Sequence, residues 1–258
     1  MSVLILMYHG VEQRPGPLFV EPTVFAEHVD VIAASGLPVL TVGEVGERLR
    51  DGRLPRLGVA LTFDDAFTSV VEEAAPRLLK RDLRATVFCV AGRLGGTNEW
   101  PTARPGAPRV ELASVAELSQ LAEAGFEIGA HGMEHAPLDT EDLDEIQREV
   151  VDVPATLEHL LGTRAHSFAY PYGAPPTPVA RRAVSETYAA ACTTRVGRVR
   201  EGSNPLSLPR VDAHYLRSPD LLEATLQGRS NLYLALRGLA ADARRRVRSD
   251  YSRPAAAR

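Results

Sequence analysis

Short apolar segments rich in β-branched residues alternate with longer segments of helical periodicity along most of this 258-residue chain. Such alternation is typical of repeated βα units around a parallel sheet. We therefore predict an α/β fold, a distorted (β/α) barrel with about seven parallel strands and an active site at the C-terminal ends of the strands. The predicted strands cover residues 3–8, 38–40, 58–63, 85–90, 126–130, 167–170, 188–193 and, as an eighth candidate, 207–211.

Helix-start signals lie between these segments. In a capping box, a hydroxyl side chain and a glutamate three residues later satisfy free N–H groups of the first turn. Two such boxes occur, at Thr41 with Glu44 and at Ser114 with Glu117. Pro154 falls inside a long helical segment, residues 141–161, and should kink or split it because proline cannot donate the helical hydrogen bond.

The length of the chain suits a single domain, because one barrel of this class takes roughly 250 residues. We assign residues 1–235 to the barrel and residues 236–258 to a basic C-terminal helix or tail. Residues 237–258 carry seven Arg against two Asp, a net +5, so the other residues carry −9 of the formal net charge of −4. A basic tail could contact an anionic membrane surface or nucleic acid, although a solvated chain end is the favoured alternative. Nothing else in the chain indicates nucleic-acid binding.

The N-terminal segment and the two cysteines both bear on the compartment in which the chain works. The N-terminal segment has no basic n-region, and its apolar run, residues 3–7, is shorter than a signal-peptide h-region or a membrane-spanning helix. We therefore expect a cytoplasmic protein. Cys89 and Cys192 lie in apolar segments, where a lone cysteine behaves as a small buried apolar residue, so we expect no disulfide.

Two polar motifs follow predicted strands and could hold a metal ion. Asp64 and Asp65 come directly after the third predicted strand, at the mouth of the predicted barrel. His131 and His135 follow the fifth predicted strand with an i, i+4 spacing that lets two imidazoles face one ion. Each motif has an ordinary alternative, because an Asp pair can cap the next helix and His135 can be a polar surface residue. Three protein ligands with open positions are what a catalytic metal requires.

A third motif, AYPYG at residues 169–173, follows the sixth predicted strand. Its proline and glycine should shape a rigid turn that can direct a backbone N–H toward a ligand. The alternative is an ordinary strand-ending loop with a packed tyrosine, so this motif decides nothing by itself.

Together, TFDD, His-x-x-x-His and YPYG resemble, in order and in strand-end position, the motifs of the polysaccharide deacetylases of carbohydrate esterase family 4, also called NodB-like. The resemblance runs over about residues 3–211, and three motifs in order are far more specific than any one alone. It implies a metal-dependent hydrolase that removes the N-acetyl group from an amino sugar in a glycan, glycolipid or smaller sugar precursor. The implied cofactor is a divalent metal, zinc in the first place, with cobalt, nickel or iron as alternatives.

The resemblance also implies a role for each motif residue. Asp64 is similar to the general base, and Asp65, His131 and His135 are similar to the metal ligands. Tyr172 resembles the residue whose backbone N–H helps to bind the oxyanion. The general acid of the common family pattern lies in a Leu-x-x-His motif near the C-terminus, and no such motif follows Tyr172.

Residues 6–9, Leu-Met-Tyr-His, fit the missing motif at the opposite end of the chain. In this respect the chain resembles circularly permuted poly-N-acetylglucosamine deacetylases, which carry the acid histidine near the N-terminus. The resemblance implies that His9 is the catalytic acid, and the alternative is a histidine that only ends a buried strand. Asp212 is a candidate carboxylate partner for His9.

Two positions depart from the family pattern. Ala169 stands where many members have an arginine that orients the base, so either Arg210 or another group takes that role or Asp64 is tuned differently. Gly132 stands where Ser or Thr usually follows the first metal histidine, which removes a hydroxyl that could tune the metal site.

Trp100 lies in a segment rich in Gly and Pro, residues 92–108, which predicts a long loop of the kind that is often functional. Its indole could stack on a sugar ring of the substrate or could anchor the loop by packing. Three further histidines, His28, His159 and His166, lie in or beside helical segments, and we expect them at the surface.

Three functions remain open on these residues. The first is an N-deacetylase whose substrate is an N-acetylated sugar. An amidase acting on a non-sugar linear or cyclic amide would use the same metal chemistry. A non-catalytic glycan-binding relative would explain the lack of an arginine at position 169.

Overall fold

A computed structural model describes residues 1–103 and 106–247 of the chain, and a closed ring of parallel strands forms its centre. The strands are β1 (Ser2–Tyr8), β2 (Gly10–Val11), β3 (Phe19–Val20), β4 (Val39–Leu40), β5 (Gly58–Phe63), β6 (Thr86–Cys89), β7 (Glu127–Ala130), β8 (Ser167–Ala169), β9 (Ala190–Val196), β10 (Val199–Arg200) and β11 (Leu208–Asp212). The α-helices are α1 (Pro22–Ala34), α2 (Val42–Arg50), α3 (Ala75–Leu79), α4 (Val115–Glu123), α5 (Leu143–Ile146), α6 (Val153–Leu161), α7 (Pro178–Thr187), α8 (Pro219–Leu226) and α9 (Asn231–Val247).

Seven strands close the ring in the order β1, β5, β6, β7, β8, β9, β11 and back to β1, and every pairing is parallel. The β1–β5 pairing is the longest, from Val3 opposite Gly58 to Tyr8 opposite Phe63. The predicted distorted (β/α) barrel of about seven parallel strands is therefore confirmed. The eighth predicted segment closes the ring as β11, whereas β4 lies outside the ring and pairs only with β5.

Three short strands were not predicted. β2 and β3 pair with each other in a separate two-stranded sheet, and β10 lies antiparallel to β1 at the edge of the large sheet. Each contains two residues, too few to show an alternating pattern in sequence.

The apolar core follows the two-residue period of the strands. Val3 and Ile5 of β1 pack in one cluster with Ala60 and Phe88, which come from neighbouring strands of the ring. The alternate residues of β1, such as Leu4, belong to the larger cluster that includes apolar residues of the surrounding helices. Successive side chains of a strand point to opposite faces, so a ring strand such as β1, with Leu4 on one face and Ile5 on the other, is buried and apolar on both sides.

Pro154 splits the long helical segment as predicted. α5 ends at Ile146, a π-helical turn covers Gln147–Val151, and α6 begins just before the proline. Pro154 has no N–H for the carbonyl four residues earlier, and that carbonyl, of Val150, instead accepts a hydrogen bond from the hydroxyl of Tyr188 at 2.8 Å. Both predicted capping boxes are present at the starts of α2 and α4.

The histidine prediction is wrong for His28, because this residue of α1 is fully buried. Its Nε2 donates to the carbonyl of Leu216 at 3.0 Å, and its Nδ1 therefore accepts from the hydroxyl of Tyr8 at 2.9 Å. His159 and His166 are exposed as expected. Cys89 and Cys192 are buried and free.

Helix α9 runs across the predicted boundary between residues 235 and 236, and the predicted tail beyond residue 247 lies outside the described residues. Leu234 of α9 is buried, whereas Leu232, Leu236 and Leu239 are 75%, 58% and 68% exposed. The division into a barrel and a basic tail therefore stays a prediction. Within residues 1–103 and 106–247, no helix combines the length and the hydropathy needed to span a bilayer.

Candidate active site

The motif residues meet at one mouth of the barrel, because parallel strands present their C-terminal ends on the same side. His9 follows β1, the Asp pair follows β5, His131 follows β7, and the YPYG turn follows β8. A cavity of about 520 Å³ opens there, which we call the catalytic cavity. Its lining includes His9, Asp64, Asp65, Trp100, His131, His135 and Tyr172.

Asp64 and Arg210 form a buried bidentate ion pair at the base of this cavity. Nη1 of Arg210 donates to Oδ1 of Asp64 at 2.6 Å, and Nη2 donates to Oδ2 at 2.7 Å. The remaining guanidinium contacts fix Arg210 in place: Nε donates to the carbonyl of Thr193 at 3.1 Å, and Nη1 also donates to the hydroxyl of Thr62 at 3.1 Å. Arg210 comes from β11 and therefore lies where it can orient Asp64, although Ala169 carries no such group.

The ion pair sets the charge of Asp64. Burial by itself would raise the pKa of this carboxyl group, but the Arg210 guanidinium, with a smaller contribution from His131, lowers the pKa well below its ordinary value. Asp64 is therefore ionised over the whole physiological pH range. A carboxylate held by two fixed hydrogen bonds also keeps a single orientation toward the cavity.

His9 lies beside Asp64 because the strands that carry them are paired. The backbone N–H of Asp64 donates to the carbonyl of Tyr8 at 2.9 Å, which extends the β1–β5 ladder to the residue before His9. Burial lowers the pKa of His9, and the carboxylates of Asp64 and Asp212 act in the opposite direction. Asp212 ends β11 two residues after Arg210, so one strand supplies both the partner of Asp64 and a carboxylate that acts on His9.

Asp65, His131 and His135 form a compact, buried ligand group, with all their candidate ligand atoms within 4.8 Å of one another. Oδ1 of Asp65 lies 3.5 Å from Nε2 of His131 and 3.4 Å from Nε2 of His135. Three ligand atoms at zinc-bond lengths in a tetrahedral arrangement are about 3.3 to 3.4 Å apart, so these two distances suit one shared ion.

The chemistry of these three residues also fits a cation. Nδ1 of His131 donates to the carbonyl of Ala169 at 2.7 Å, so Nε2 of the neutral ring carries its lone pair toward Asp65. Burial lowers the pKa of both histidines, which favours the neutral rings that bind metals. Oδ1 of Asp65 is buried without a hydrogen bond from any described residue, and burial together with the Asp64 charge raises the pKa of Asp65. A divalent cation would satisfy that oxygen and stabilise its negative charge.

Backbone strain is concentrated at the same residues. Asp65, His135 and Tyr172 have backbone φ values of 71°, 59° and 58°. These values fall in the left-handed region, which residues other than glycine rarely adopt. Such conformations cost free energy and persist where the surrounding structure enforces them, often at functional sites. Here all three residues line the catalytic cavity.

Trp100 and Tyr172 hold His135 between them. The indole of Trp100 stacks on the imidazole with 4.4 Å between ring centroids, and the Tyr172 ring meets it edge-on at 4.4 Å. The hydroxyl of Thr102 donates to the carbonyl of His135 at 3.1 Å and lies 2.9 Å from the Tyr172 hydroxyl. Trp100 is only 7% exposed, which favours the loop-anchor alternative, and stacking of its indole on a sugar stays a prediction.

Glu149 is a residue of the site that the sequence did not single out. Its carboxylate accepts hydrogen bonds from the backbone N–H groups of Met133, Glu134 and Ala136, at 3.0 to 3.2 Å. These groups belong to the turn that carries His131 and His135. A Cβ on Gly132 would lie 2.6 Å from Oε2 of Glu149, so glycine leaves the space that this carboxylate fills. Glu149 lies in the π-helical turn before Pro154. The only sequence signal for this turn is the proline within a helical segment.

The structure thus brings His9, Asp64, Asp65, His131 and His135 together with Tyr172, Trp100 and Arg210 around one cavity. The individual roles of these eight residues stay predictions.

Comparisons with known proteins indicate the family of this chain. The family model for polysaccharide deacetylase matches residues 51–191. The YxkH protein of Bacillus subtilis (strain 168) is 24% identical over 208 residues, which cover 80% of this chain and 70% of that protein.

Solved structures of other proteins share the fold. The Streptococcus pyogenes deacetylase PplD, determined in complex with acetate, superposes with a TM-score of 0.76 at 24% identity and covers 88% of this chain and 98% of its own. IcaB from Ammonifex degensii superposes with a TM-score of 0.72 at 24% identity and covers 88% of this chain and 96% of its own. Since the family match spans more than half of its residues, this chain belongs to the polysaccharide deacetylase family, whose reaction is the hydrolytic removal of acetyl groups from glycans.

Proposed function

We propose that the chain is a metal-dependent N-deacetylase that removes the acetyl group from an amino sugar in a glycan, a glycolipid or a smaller sugar precursor. One observation carries the proposal: the buried group of Asp65, His131 and His135 lies in the same cavity as the Asp64–Arg210 pair and His9. A ligand group, an oriented carboxylate and a histidine are the parts that amide hydrolysis requires.

Asp65, His131 and His135 would hold the metal. When bound there, a divalent cation supplies a Lewis acid that polarises the acetamide carbonyl and makes water a better nucleophile near neutral pH. Zinc suits two imidazoles and one carboxylate, and cobalt, nickel and iron remain alternatives because their preferences for these ligands overlap.

The remaining residues supply the proton transfers. Asp64 accepts a proton from the attacking water as the water oxygen bonds to the carbonyl carbon. The backbone N–H of Tyr172 helps to stabilise the oxyanion that develops at the carbonyl oxygen. His9 donates a proton to the amine nitrogen as the carbon–nitrogen bond breaks, so the products are acetate and a free amino sugar.

Two alternatives remain, with different support. An amidase acting on a non-sugar linear or cyclic amide would use the same residues, and only the substrate separates it from a deacetylase. A non-catalytic glycan-binding protein was suggested by Ala169. Arg210 reaches Asp64 from another strand, which weakens the reason for that hypothesis.

The test uses purified chain stripped of metal and reloaded with zinc or cobalt. We expect acetate release from N-acetylglucosamine oligomers, loss of that release with a chelator, and its recovery on reloading. Asp64→Asn should abolish acetate release while metal content stays the same. Asp220→Asn, which changes an exposed carboxylate at the start of α8, is the matched control.

Each alternative predicts a different outcome. Release of carboxylate from a panel of non-sugar acetamides and cyclic amides, without release from the sugar oligomers, would identify an amidase. Binding of the oligomers to fully loaded protein without turnover would identify a glycan-binding protein. Full activity of Asp64→Asn would exclude Asp64 as the base.

A further inference from the structure

A second cleft, of about 820 Å³, adjoins the catalytic cavity. It lies between the start of α7, the end of β9 and the segment before β11, and Tyr170 and Gly173 line both spaces. The hydroxyl of Tyr170 donates to the carbonyl of Leu206 at 3.1 Å, which fixes this shared wall. The catalytic cavity and the second cleft are therefore adjacent and share part of one wall.

The charge of this cleft has one sign. Arg181, Arg182 and Arg195 line it, and no Asp or Glu is among its described lining residues. Arg182 pairs with Glu186 at 2.8 Å, whereas neither Arg181 nor Arg195 forms an ion pair with any residue that the structure describes. Both residues are exposed, so an anion that enters the cleft meets two guanidinium groups that no described carboxylate neutralises.

The positive charge of the second cleft also contrasts with the net negative charge of the barrel. Outside residues 237–258 the chain carries a net charge of −9. A cleft whose only charged residues, among those that the structure describes, are arginines is therefore a local reversal of the overall sign, and it adjoins the catalytic cavity. Two neutral polar lining residues, Asn204 through its amide nitrogen and Ser207 through its hydroxyl, offer further hydrogen-bond donors.

We propose that the second cleft, which we call the arginine cleft after Arg181, Arg182 and Arg195, binds a phosphate group carried by the amino-sugar substrate. This inference rests on the proposed deacetylase function. Guanidinium groups bind phosphate through paired, charge-assisted hydrogen bonds, for which their planar geometry is suited. The acetamide of such a substrate occupies the catalytic cavity, and its phosphate passes Tyr170 and lies between Arg181 and Arg195. The substrate class is thus a phosphorylated N-acetyl amino sugar rather than a neutral oligosaccharide.

The test compares phosphorylated and neutral ligands by calorimetry on metal-loaded protein that carries Asp64→Asn to prevent turnover. The probes are N-acetylglucosamine 1-phosphate, the corresponding uridine diphosphate sugar and the neutral methyl N-acetylglucosaminide. We expect about tenfold tighter binding of the phosphorylated probes, weakening at high salt. Equal affinity for both phosphorylated probes would identify the sugar phosphate as the recognised unit, and a further gain with the nucleotide would identify a nucleotide-linked substrate.

Arg181→Ala combined with Arg195→Ala should remove the preference for phosphate. The control combines Arg56→Ala with Arg164→Ala, an equal loss of two positive charges at exposed positions outside both spaces, and should retain it. A preference that is absent from the starting protein, or that survives loss of Arg181 and Arg195, would overturn the proposal. Acetate release from neutral oligomers by the unmodified chain tests the deacetylase function separately, so the two failures are distinguishable.

Discussion

Arg210 and Asp64 are 146 positions apart in sequence and joined by two hydrogen bonds of 2.6 and 2.7 Å, with both side chains almost completely buried. The ring closure between β11 and β1 makes this contact possible, because β1 in turn pairs with β5. The guanidinium lies above Phe88, whose ring forms an apolar floor 5.7 Å away. The Asp64 carboxylate, which we assign as the base, is therefore oriented by Arg210, a residue of β11 that lies far along the chain from the TFDD motif.

Arg210→Lys should lower kcat for acetate release by about a hundredfold or more, since lysine cannot form the paired hydrogen bonds that fix Asp64. The pKa of Asp64 should rise at the same time, because the fork of charge-assisted donors is lost. Steady-state kinetics and metal analysis would measure both activity and ligand integrity. Arg198→Lys, at another buried arginine that contacts the carbonyl of Thr225 instead, controls for general loss of stability. Equal kcat losses in both variants would contradict an orienting role.

His9→Ala should separate substrates by their leaving groups. Hydrolysis of an acetamide requires protonation of the departing amine, so we expect a loss of about a hundredfold for an N-acetyl sugar. Hydrolysis of 4-nitrophenyl acetate needs no such proton, so its rate should change far less. Equal losses on both substrates would argue that His9 is not the acid.

Glu149→Gln should weaken metal binding by roughly tenfold to hundredfold, as is typical when groups that support metal ligands are changed. The carboxylate accepts hydrogen bonds from three backbone N–H groups of the turn that carries His131 and His135, and a neutral amide is a poorer acceptor for them. Metal affinity is measured by competition with a chromophoric chelator, and Glu141→Gln at an exposed position is the control. Gly132→Ser should have a similar effect, because its Cβ would collide with the Glu149 carboxylate. Unchanged metal affinity in both variants would exclude this role.

His28 should make the free energy of unfolding depend on pH. Burial lowers its pKa from the ordinary 6.5 to about 4. Between these values the unfolded chain binds the proton and the folded chain does not, so stability falls as the pH decreases from about 6.5 to about 4, by up to about 3 kcal/mol. Urea unfolding of His28→Gln should show a flatter pH profile than the unmodified chain, and His159→Gln should not. Parallel profiles for all three proteins would contradict the assignment.

Substitution of the exposed leucines of α9 would test the predicted contact with a membrane surface. Leu232, Leu236 and Leu239 recur with helical spacing, and residues 237–258 carry a net charge of +5, a combination typical of helices that bind anionic lipid surfaces. We expect co-flotation with phosphatidylglycerol vesicles that is lost at high salt and when all three leucines are changed to serine. Equal flotation with neutral phosphatidylcholine vesicles, or none with either, would contradict this contact.

Several features could be predicted from local sequence because their causes are local. The strand segments, the capping boxes and the split at Pro154 depend on periodicity, on residues three positions apart or on a missing N–H. The grouping of Asp65, His131 and His135 could be predicted as well, since the Asp pair and His131 directly follow strands that end at one mouth. The surface position predicted for His28 was wrong because the sequence of a helix does not show which distant groups contact it. Here the Tyr8 hydroxyl and the Leu216 carbonyl hydrogen-bond to the two ring nitrogens of the buried histidine.

The sequence by itself determined the barrel and its strand-end motifs, because strands buried on both faces must be apolar and their C-terminal ends must converge. Only the tertiary structure decided which distant groups complete the site. From the sequence, Arg210 was one candidate for orienting Asp64, and the closure of the ring is what places it against that carboxylate. Glu149 belongs to no motif, and it lies beside Gly132 because it is part of a π-helical turn. The arginine cleft depends in the same way on α7 and β9 lying side by side at the mouth. Contacts between residues far apart in the chain depend on closure and packing, which no local pattern records.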